Sequence, residues 1–318
     1  MMRVAAIDCG TNSVRLLIAD ISQESDELTD VERRMEIVRL GQDVDRTGRL
    51  APEALERTFT AMRGYAKLIT GHAGPDGSMP VRVVATSATR DAANRDDFVA
   101  GVREIFGVDP EVVTGDEEAR LSFTGATRGL ARRGPAADDT PYLVVDIGGG
   151  STEFVVGSSS VSTSVEGALS VDIGCVRLTE RHLTDDPPEA AAVQATIADI
   201  EAAMDRVEAA VPVRDARTLV GLAGSVTTVA GIALGLPAYD AAKIHHSRIP
   251  AERVHEVSAR LLAMTHDERA AIPVMHPGRV DVIGAGALIL DRIVRRYGFA
   301  EVVVSEHDIL DGIAWSLV

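Results

Sequence analysis

The run LVVDIGGGSTEFVV at 143–156 joins two apolar segments through an aspartate, three consecutive glycines, a serine and a glutamate. A hairpin turn needs only one or two residues that tolerate positive φ. Three glycines in succession cost chain entropy and allow a ligand to approach the backbone closely. Amides exposed in such a turn form a nest for an anion, most often phosphate. Asp146 and Glu153, flanking the nest, point to a divalent cation held beside that phosphate, because Mg2+ takes oxygen ligands and usually only one or two carboxylates. Taken alone, one copy of the pattern is better read as a tight hairpin with an incidental acidic pair.

The chain holds two copies. AAIDCGTNSVRLLI at 5–18 aligns without gaps on the later stretch, placing Asp8 on Asp146, Gly10 on Gly148, Ser13 on Ser151 and Arg15 on Glu153 at a constant offset of 138 residues. A repeat at domain-sized spacing predicts two related α/β halves facing each other. Gly10, Thr11, Asn12 and Ser13 then make one phosphate-seeking turn and Gly148, Gly149, Gly150 and Ser151 the other, with a phosphorylated ligand expected in a cleft between the halves.

Three further stretches carry chemistry-bearing residues. In VVTGDEEARL, Thr114 and Glu117 have the spacing of a capping box. That gives Glu117 a structural task and leaves Glu118, in the first helical turn, as a general base for a water or as a surface carboxylate that suits the helix dipole. Spacing alone leaves those two readings even. Arg90 in VVATSATRD stands just past a strand end, where α/β sheets bind ligands, and arginine suits bidentate phosphate contact; a salt bridge with Asp91 or a neighbour is at least as good a reading. Gly224 and Ser225 in LAGSVTTVAG form a third glycine turn before a helix, read either as an anion site or as close helix–strand packing. The eight histidines show no metal-binding spacing, and Walker-type and Gly-x-Ser-x-Gly motifs are absent.

Elements must position these residues. Strands are expected near 3–8 and 14–21, followed by a polar loop and MEIVRLGQDV. A helix over LAPEALERTFTAMRGYAKLI carries the stripe Leu55, Phe59, Met62, Ala66 and Ile69, with Pro52 suited to its first turn. GHAGPDGSMP (71–80) reads as a loop, and VRVVATSATRDAANRDDFVAGVREIFG as strand, polar turn and helix. ARRGPAADDTP (131–141) is the expected linker. Beyond it, Val193, Ile197, Ile200, Met204, Val207 and Val211 mark a core-facing helix, and the chain closes on the strand EVVVSE and the helix DILDGIAWSLV.

With 318 residues, two domains are the natural expectation. A formal charge of −16 argues against generic nucleic-acid binding, which needs a basic footprint. A polyanionic substrate would then be held by local arginines, backbone amides and a cation. The longest apolar runs are too short to span a bilayer at about 20 residues. MMRVAAIDCGTNS lacks a secretory layout, and Cys9 and Cys175 are too few for a disulfide framework, so a cytoplasmic protein with two reduced thiols is expected.

IDCGTNSVRLLI, ATSATR, TGDEEAR, VVDIGGGSTE, GLAGSVTT and RVDVIGAGALIL stand in the order found in the exopolyphosphatase and guanosine pentaphosphate phosphohydrolase family, and the chain resembles that family from Arg3 to about Trp315. The resemblance implies an α/β, two-lobed actin-like and sugar-kinase-like ATPase fold with duplicated ribonuclease-H-like domains. One lobe would comprise residues 1–130 with 304–318 and the other 131–303. It further implies Mg2+-dependent release of terminal phosphate from inorganic polyphosphate, with guanosine pentaphosphate as the alternative substrate. Mn2+ in place of Mg2+, an added monovalent cation and a homodimer are further expectations of the family.

Under the resemblance Glu118 corresponds to the catalytic base and Arg90 to a phosphate-contacting arginine. Asp146 and Glu153, joined by Glu118 and Asp8, become the candidate metal ligands. The chain stops where longer members add a helical domain, so a short, core-only form is expected. SEHDILDGI differs from the SGGxLREG pattern of longer members, with Leu310 where an arginine would stand. Both departures lead to an expected preference for shorter polyphosphates. A small-molecule kinase and a non-catalytic actin-like module that binds nucleotide and assembles are the competing readings.

Overall fold

The computed structural model describes residues 1–74, 78–132, 139–159 and 163–318. The chain falls into two compact units, Met1–Gly125 with Ile309–Val318, and Ala126–Asp308. The loop expected at 71–80 includes residues 75–77, and the linker expected at 131–141 is centred on 133–138; both cores lie outside the described residues.

The first unit opens with β1 (Met2–Cys9), β2 (Ser13–Ser22) and β3 (Glu27–Ile37), continues through α1 (Val44–Thr47), α2 (Pro52–His72), β4 (Val81–Ala85), α3 (Ser87–Asp91), α4 (Arg95–Phe106) and β5 (Glu111–Val112), and enters α5 (Gly115–Arg132). Its sheet has the order β3-β2-β1-β4-β5, antiparallel among the first three strands and parallel from β1 to β5.

The second unit contains β6 (Tyr142–Ile147), β7 (Thr152–Ser159), β8 (Thr163–Val171), α6 (Cys175–His182), α7 (Ala190–Ala210), β9 (Thr218–Leu222), α8 (Ala223–Ala233), α9 (Ala241–Ile244), β10 (Arg248–Pro250), α10 (Ala251–Ala263), α11 (His266–Ala270), α12 (Ile283–Tyr297) and β11 (Glu301–Val304). Its sheet order is β10-β11-β9-β6-β7-β8. Reading β8-β7-β6-β9-β11 repeats the order and strand sense of the first sheet, with β10 added at the edge. The duplication extends to register: Asp8 pairs with Arg15 across β1 and β2, and Asp146 with Glu153 across β6 and β7. Each unit therefore carries a ribonuclease-H-like core, and the α/β, actin-like fold class holds.

Side-chain alternation splits the first unit's core into two layers. Ala5, Ile7, Cys9, Leu16 and Ile18 pack with α2 and α4, whereas Val4, Ala6, Leu17, Ala19 and Ile21 pack under the final helix, α13 (Ile309–Trp315). Asp8 and Arg15 share the parity of the second layer. Leu310 is 1% exposed and belongs to that layer, so position 310 serves the core. Full burial of a leucine contributes about 1.5–3 kcal/mol relative to exposure.

Two expectations shift. The polar stretch after the first hairpin forms β3, an edge strand rich in charged residues whose positions are all exposed or half-buried. An edge strand needs little apolar content, and charge there discourages edge-to-edge association. The polar turn in VATSATRD is wound into the short helix α3. On α2 the buried stripe runs through Leu55, Thr58, Met62, Tyr65 and Ile69, while Phe59 and Ala66 are only partly buried. On α7, Ile200, Met204 and Val207 are buried as expected, Val193 and Ile197 are partly buried against the same core, and Val211 is buried just past the helix end.

Candidate active site

In the first unit the Gly10–Ser13 turn closes with a bond from Gly10 N to Ser13 O at 3.0 Å. The next carbonyls face the segment that follows β3: Gly41 N donates to Thr11 O at 2.8 Å, and Val38 N and Arg39 N both donate to Asn12 O. In a trans peptide the amide that follows a carbonyl points the opposite way. The N–H groups of Asn12 and Ser13 are thus turned away from the 38–41 segment. Thr11 Oγ1 and Ser87 Oγ, both buried, lie 2.9 Å apart and tie this turn to α3. Asp8 accepts from Arg15 Nη2 at 2.6 Å and Nε at 2.9 Å, so its carboxylate is neutralised within its own hairpin.

α3 and α5 bring Glu118 and Arg90 together. Arg90 Nη1 donates to Glu118 Oε2 at 3.0 Å and to Val113 O at 2.9 Å, and Glu118 is 7% exposed. Thr114 Oγ1 caps α5 by accepting from Glu117 N at 3.2 Å. The reciprocal half of a capping box would need the Glu117 carboxylate to bend back to Thr114 N; it accepts instead from Arg82 Nη2 at 3.0 Å. A guanidinium carries five N–H donors, and pairing Nη1 with Glu118 leaves Arg90 capacity for a further oxygen ligand.

The second unit carries the glycine turn. Gly148 N donates to Ser151 O at 3.0 Å, the counterpart of the Gly10–Ser13 bond. All three glycine carbonyls are bound on one side: Cys175 N to Gly148 O at 3.0 Å, Val176 N and Arg177 N to Gly149 O at 2.9 and 3.1 Å, and Arg177 Nε to Gly150 O at 2.7 Å. The same trans-peptide argument turns the amides of Gly149, Gly150 and Ser151 away from α6, in one direction. Three successive amides so aligned make an anion nest.

Acids stand beside it. Asp146 and Glu153 are directly paired across β6 and β7, and Glu153 is directly paired with Ser170 across β7 and β8, so all three point to one face. Glu153 Oε1 accepts from Ser151 Oγ and Ser170 Oγ, each at 2.7 Å. Asp146 is 7% and Glu153 2% exposed.

Mg2+ completes its coordination with water and phosphate oxygens around one or two carboxylates. A pair of neighbouring acids beside an anion nest fits that donor set. No group of three or more His, Cys, Asp or Glu residues arranged to hold a metal occurs among the described residues.

The turn at Gly224 and Ser225 has a different surrounding. The Arg279 guanidinium packs over Gly224, with Nε 2.5 Å from where a Cβ would stand, and Arg279 Nη1 lies 3.5 Å from Thr228 Oγ1. Ser225 is directed at Cys175 and Gly286, which places its hydroxyl in the packing of α6, α8 and α12. Burial pushes the thiols of Cys9 and Cys175 above the usual range; Asp8 adds to the effect at Cys9, whereas Ser225 and Arg279 offset it in part at Cys175.

Three contributors escaped the sequence reading. Gly174 matters through space: a Cβ there would lie 2.6 Å from Gly150 C and closer still to the Gly149 carbonyl. The pairing of two glycine segments, Gly148–Gly150 and Gly174, was the available signal. Ser170 is placed only by strand register, and Arg279 only by tertiary packing.

Residues 17–318 match the family model described as the Ppx/GppA phosphatase family. The chain is 50% identical to Exopolyphosphatase 2 of Mycobacterium tuberculosis, over 100% of this chain and 99% of that protein. Among solved structures, an exopolyphosphatase-like protein superimposes with a TM-score of 0.91 at 43% identity, covering 99% of this chain and 98% of the other. The PPX-GPPA enzyme of Aquifex aeolicus gives 0.79 at 31% identity, covering 99% of each chain. With a family match over nearly its full length and a repeated Asp-x-Gly hairpin in each unit, this chain belongs to the Ppx/GppA phosphatase family.

Proposed function

We propose that this protein is an exopolyphosphatase that releases the terminal phosphate of inorganic polyphosphate by attack of water. The observation that carries the reading is the glycine turn at Gly148–Gly150, whose carbonyls are all bound on the α6 side while the amides of Gly149, Gly150 and Ser151 face the other way beside Asp146 and Glu153. The family match and the name of the Mycobacterium tuberculosis relative support the same substrate class.

Phosphoryl transfer depends chiefly on positioning and on neutralising charge, because the reacting groups are already anionic. In this reading the nest amides hold oxygens of the terminal phosphate, and the Gly10–Ser13 turn and Arg90 serve the same phosphate-binding task. Glu118 accepts a proton from the attacking water, and Arg90 Nη1 fixes the carboxylate for that role. Asp146 and Glu153 would hold Mg2+, or Mn2+ in its place; when bound, the cation supplies neutralisation of phosphate charge. Shorter polyphosphates are the proposed preference. Guanosine pentaphosphate ends in the same phosphoanhydride and is the second substrate class. No described helix is long and apolar enough to cross a membrane.

The test is phosphate release from short-chain polyphosphate with Mg2+, comparing wild type with Glu118→Gln. Loss of a general base costs about 10²–10⁴-fold, and a fall in that range with the fold intact is expected. Wild-type protein that releases no phosphate, or a Glu118→Gln variant as active as wild type, would refute the reading.

A further inference from the structure

Glu118 sits in the first turn of α5; α13 packs against the next turn, and Ser316, just past α13, is linked to the first through Arg82. The apolar side chains of α13 seat it on the first sheet: Ile309, Leu310, Ile313, Ala314 and Trp315 pack with Val4, Ala6, Leu17, Ala19, Ile21 and Val84, on the face whose parity Asp8 and Arg15 share. α13 then meets α5 backbone to backbone. A Cβ built at Gly312 would lie 2.7 Å from Leu121 C and 3.0 Å from Leu121 Cα, and closer still to the Leu121 carbonyl oxygen. Leu121 is one turn beyond Glu118. On the other side of Glu118, Arg82 bridges Ser316 Oγ at 2.6 Å and Glu117 Oε1 at 3.0 Å.

The helix is itself anchored by charge. Asp311 is 1% exposed and accepts from Arg33 Nη2 at 2.6 Å and Nη1 at 3.3 Å, which ties α13 to β3. Arg33 also pairs with Asp30, so the anchor reaches the strand itself. The contact with Leu121 leaves no flexible side chain to give way, because the facing atoms are main chain.

We propose that α13 sets the position of Glu118, with Gly312 and Asp311 as positioning residues. This rests on Glu118 being the base. A base must stand within hydrogen-bond reach of the water it deprotonates, and a displacement of about 1 Å costs about 10²-fold in rate. Gly312 lets α5 approach α13 closely, and the Arg33–Asp311 pair holds α13 in place for that approach.

The test compares Gly312→Ala with Ile69→Val, a core substitution on α2 in the other layer of the first unit, in full-length protein, by kcat and KM for phosphate release per folded molecule. Alanine is the better helix former, so a loss in Gly312→Ala cannot come from helix propensity. Expected is a fall in kcat of about 10- to 100-fold with KM within about twofold, while Ile69→Val lowers the thermal midpoint and keeps wild-type kcat. Wild-type kcat in Gly312→Ala, or an equal loss of kcat in Ile69→Val, overturns the proposal. Should Gly312→Ala fail to fold, Asp311→Asn, which keeps the side-chain shape, is judged by the same split. Hydrogen exchange at the amides of residues 115–121 keeps the two readings apart. Faster exchange there in Gly312→Ala supports the positioning role whatever the reaction, and unchanged exchange defeats it. An inactive wild type or an active Glu118→Gln defeats only the assignment of the base.

Discussion

Replacing Gly174 by alanine perturbs the candidate anion nest without touching a charged or nucleophilic group. The backbone at Gly174 is extended (φ −142°, ψ 161°), a conformation open to any residue, so the requirement is one of space. The added Cβ would lie 2.6 Å from Gly150 C, with the Gly149 carbonyl nearer still. Ordinary contact begins near 3.4 Å, so α6 and the turn must separate by roughly 0.8 Å or more, because main-chain atoms cannot rotate away as a side chain does. That separation stretches the bonds from Cys175 N, Val176 N and Arg177 N, now 2.9–3.1 Å, beyond hydrogen-bond length. Three such bonds at about 0.5–1.5 kcal/mol each give a stability loss of about 1.5–4.5 kcal/mol. The rate effect is separate: amides moved by nearly 1 Å from their productive positions cost about 10²-fold in kcat. Thermal unfolding and phosphate release from polyphosphate, measured on the same preparation, report both. Gly64→Ala is the control, since Gly64 lies exposed in α2 with nothing within 4 Å of an added Cβ. It should gain about 0.5–1 kcal/mol and leave kcat unchanged. A Gly174→Ala protein with wild-type thermal midpoint and wild-type kcat would refute the claim that close approach of α6 shapes this turn.

Glu153→Gln keeps the side-chain size and hydroxyl contacts but removes one of two neighbouring charges. The Mg2+ concentration for half-maximal phosphate release should rise at least tenfold, and an unchanged Mg2+ dependence would remove Glu153 from the cation site. The buried thiols of Cys9 and Cys175, raised above the usual range, should react slowly with a chromogenic disulfide reagent in the native protein and fully once unfolded. Because the folded values are raised, the stability they contribute is present below the ordinary thiol range and is lost as pH climbs from that range through the raised folded values. Rapid labelling of either thiol in native protein would contradict their placement.

The repeated hairpin was legible in the sequence because both its chemistry and its period are local: Asp-x-Gly, the small polar turn and the serine recur at one offset, and the structure gives the two copies the same register and the same turn hydrogen bond. Arg90 and Glu118 were each legible as candidates, yet their 3.0 Å pairing arises from α3 and α5 converging and has no local signature. β3 was hidden because an edge strand can be built from TDVERRMEI with hardly any apolar face. Glu117 illustrates a rule that tertiary structure overrode: its spacing from Thr114 was right for a capping box, and Arg82 claimed the carboxylate. Gly174 and Gly312 are glycines for steric reasons that only the approach of another backbone reveals.

The two copies of the hairpin have diverged in the property that matters for a cation. In the first, the row across the strands reads Asp8, Arg15, Met35, and the guanidinium at 2.6 Å cancels the carboxylate. In the second the row reads Asp146, Glu153, Ser170, with two carboxylates side by side and hydroxyls donating to one of them. A divalent cation approaching the first row meets no net charge from the acid–base pair and would have to displace a partly buried arginine. Approaching the second, it meets two negative charges whose mutual repulsion it relieves. The same backbone turn therefore stands beside a neutralised acid in one unit and beside two neighbouring carboxylates in the other. The difference in charge lies at the position paired with the aspartate, arginine in the first copy and glutamate in the second.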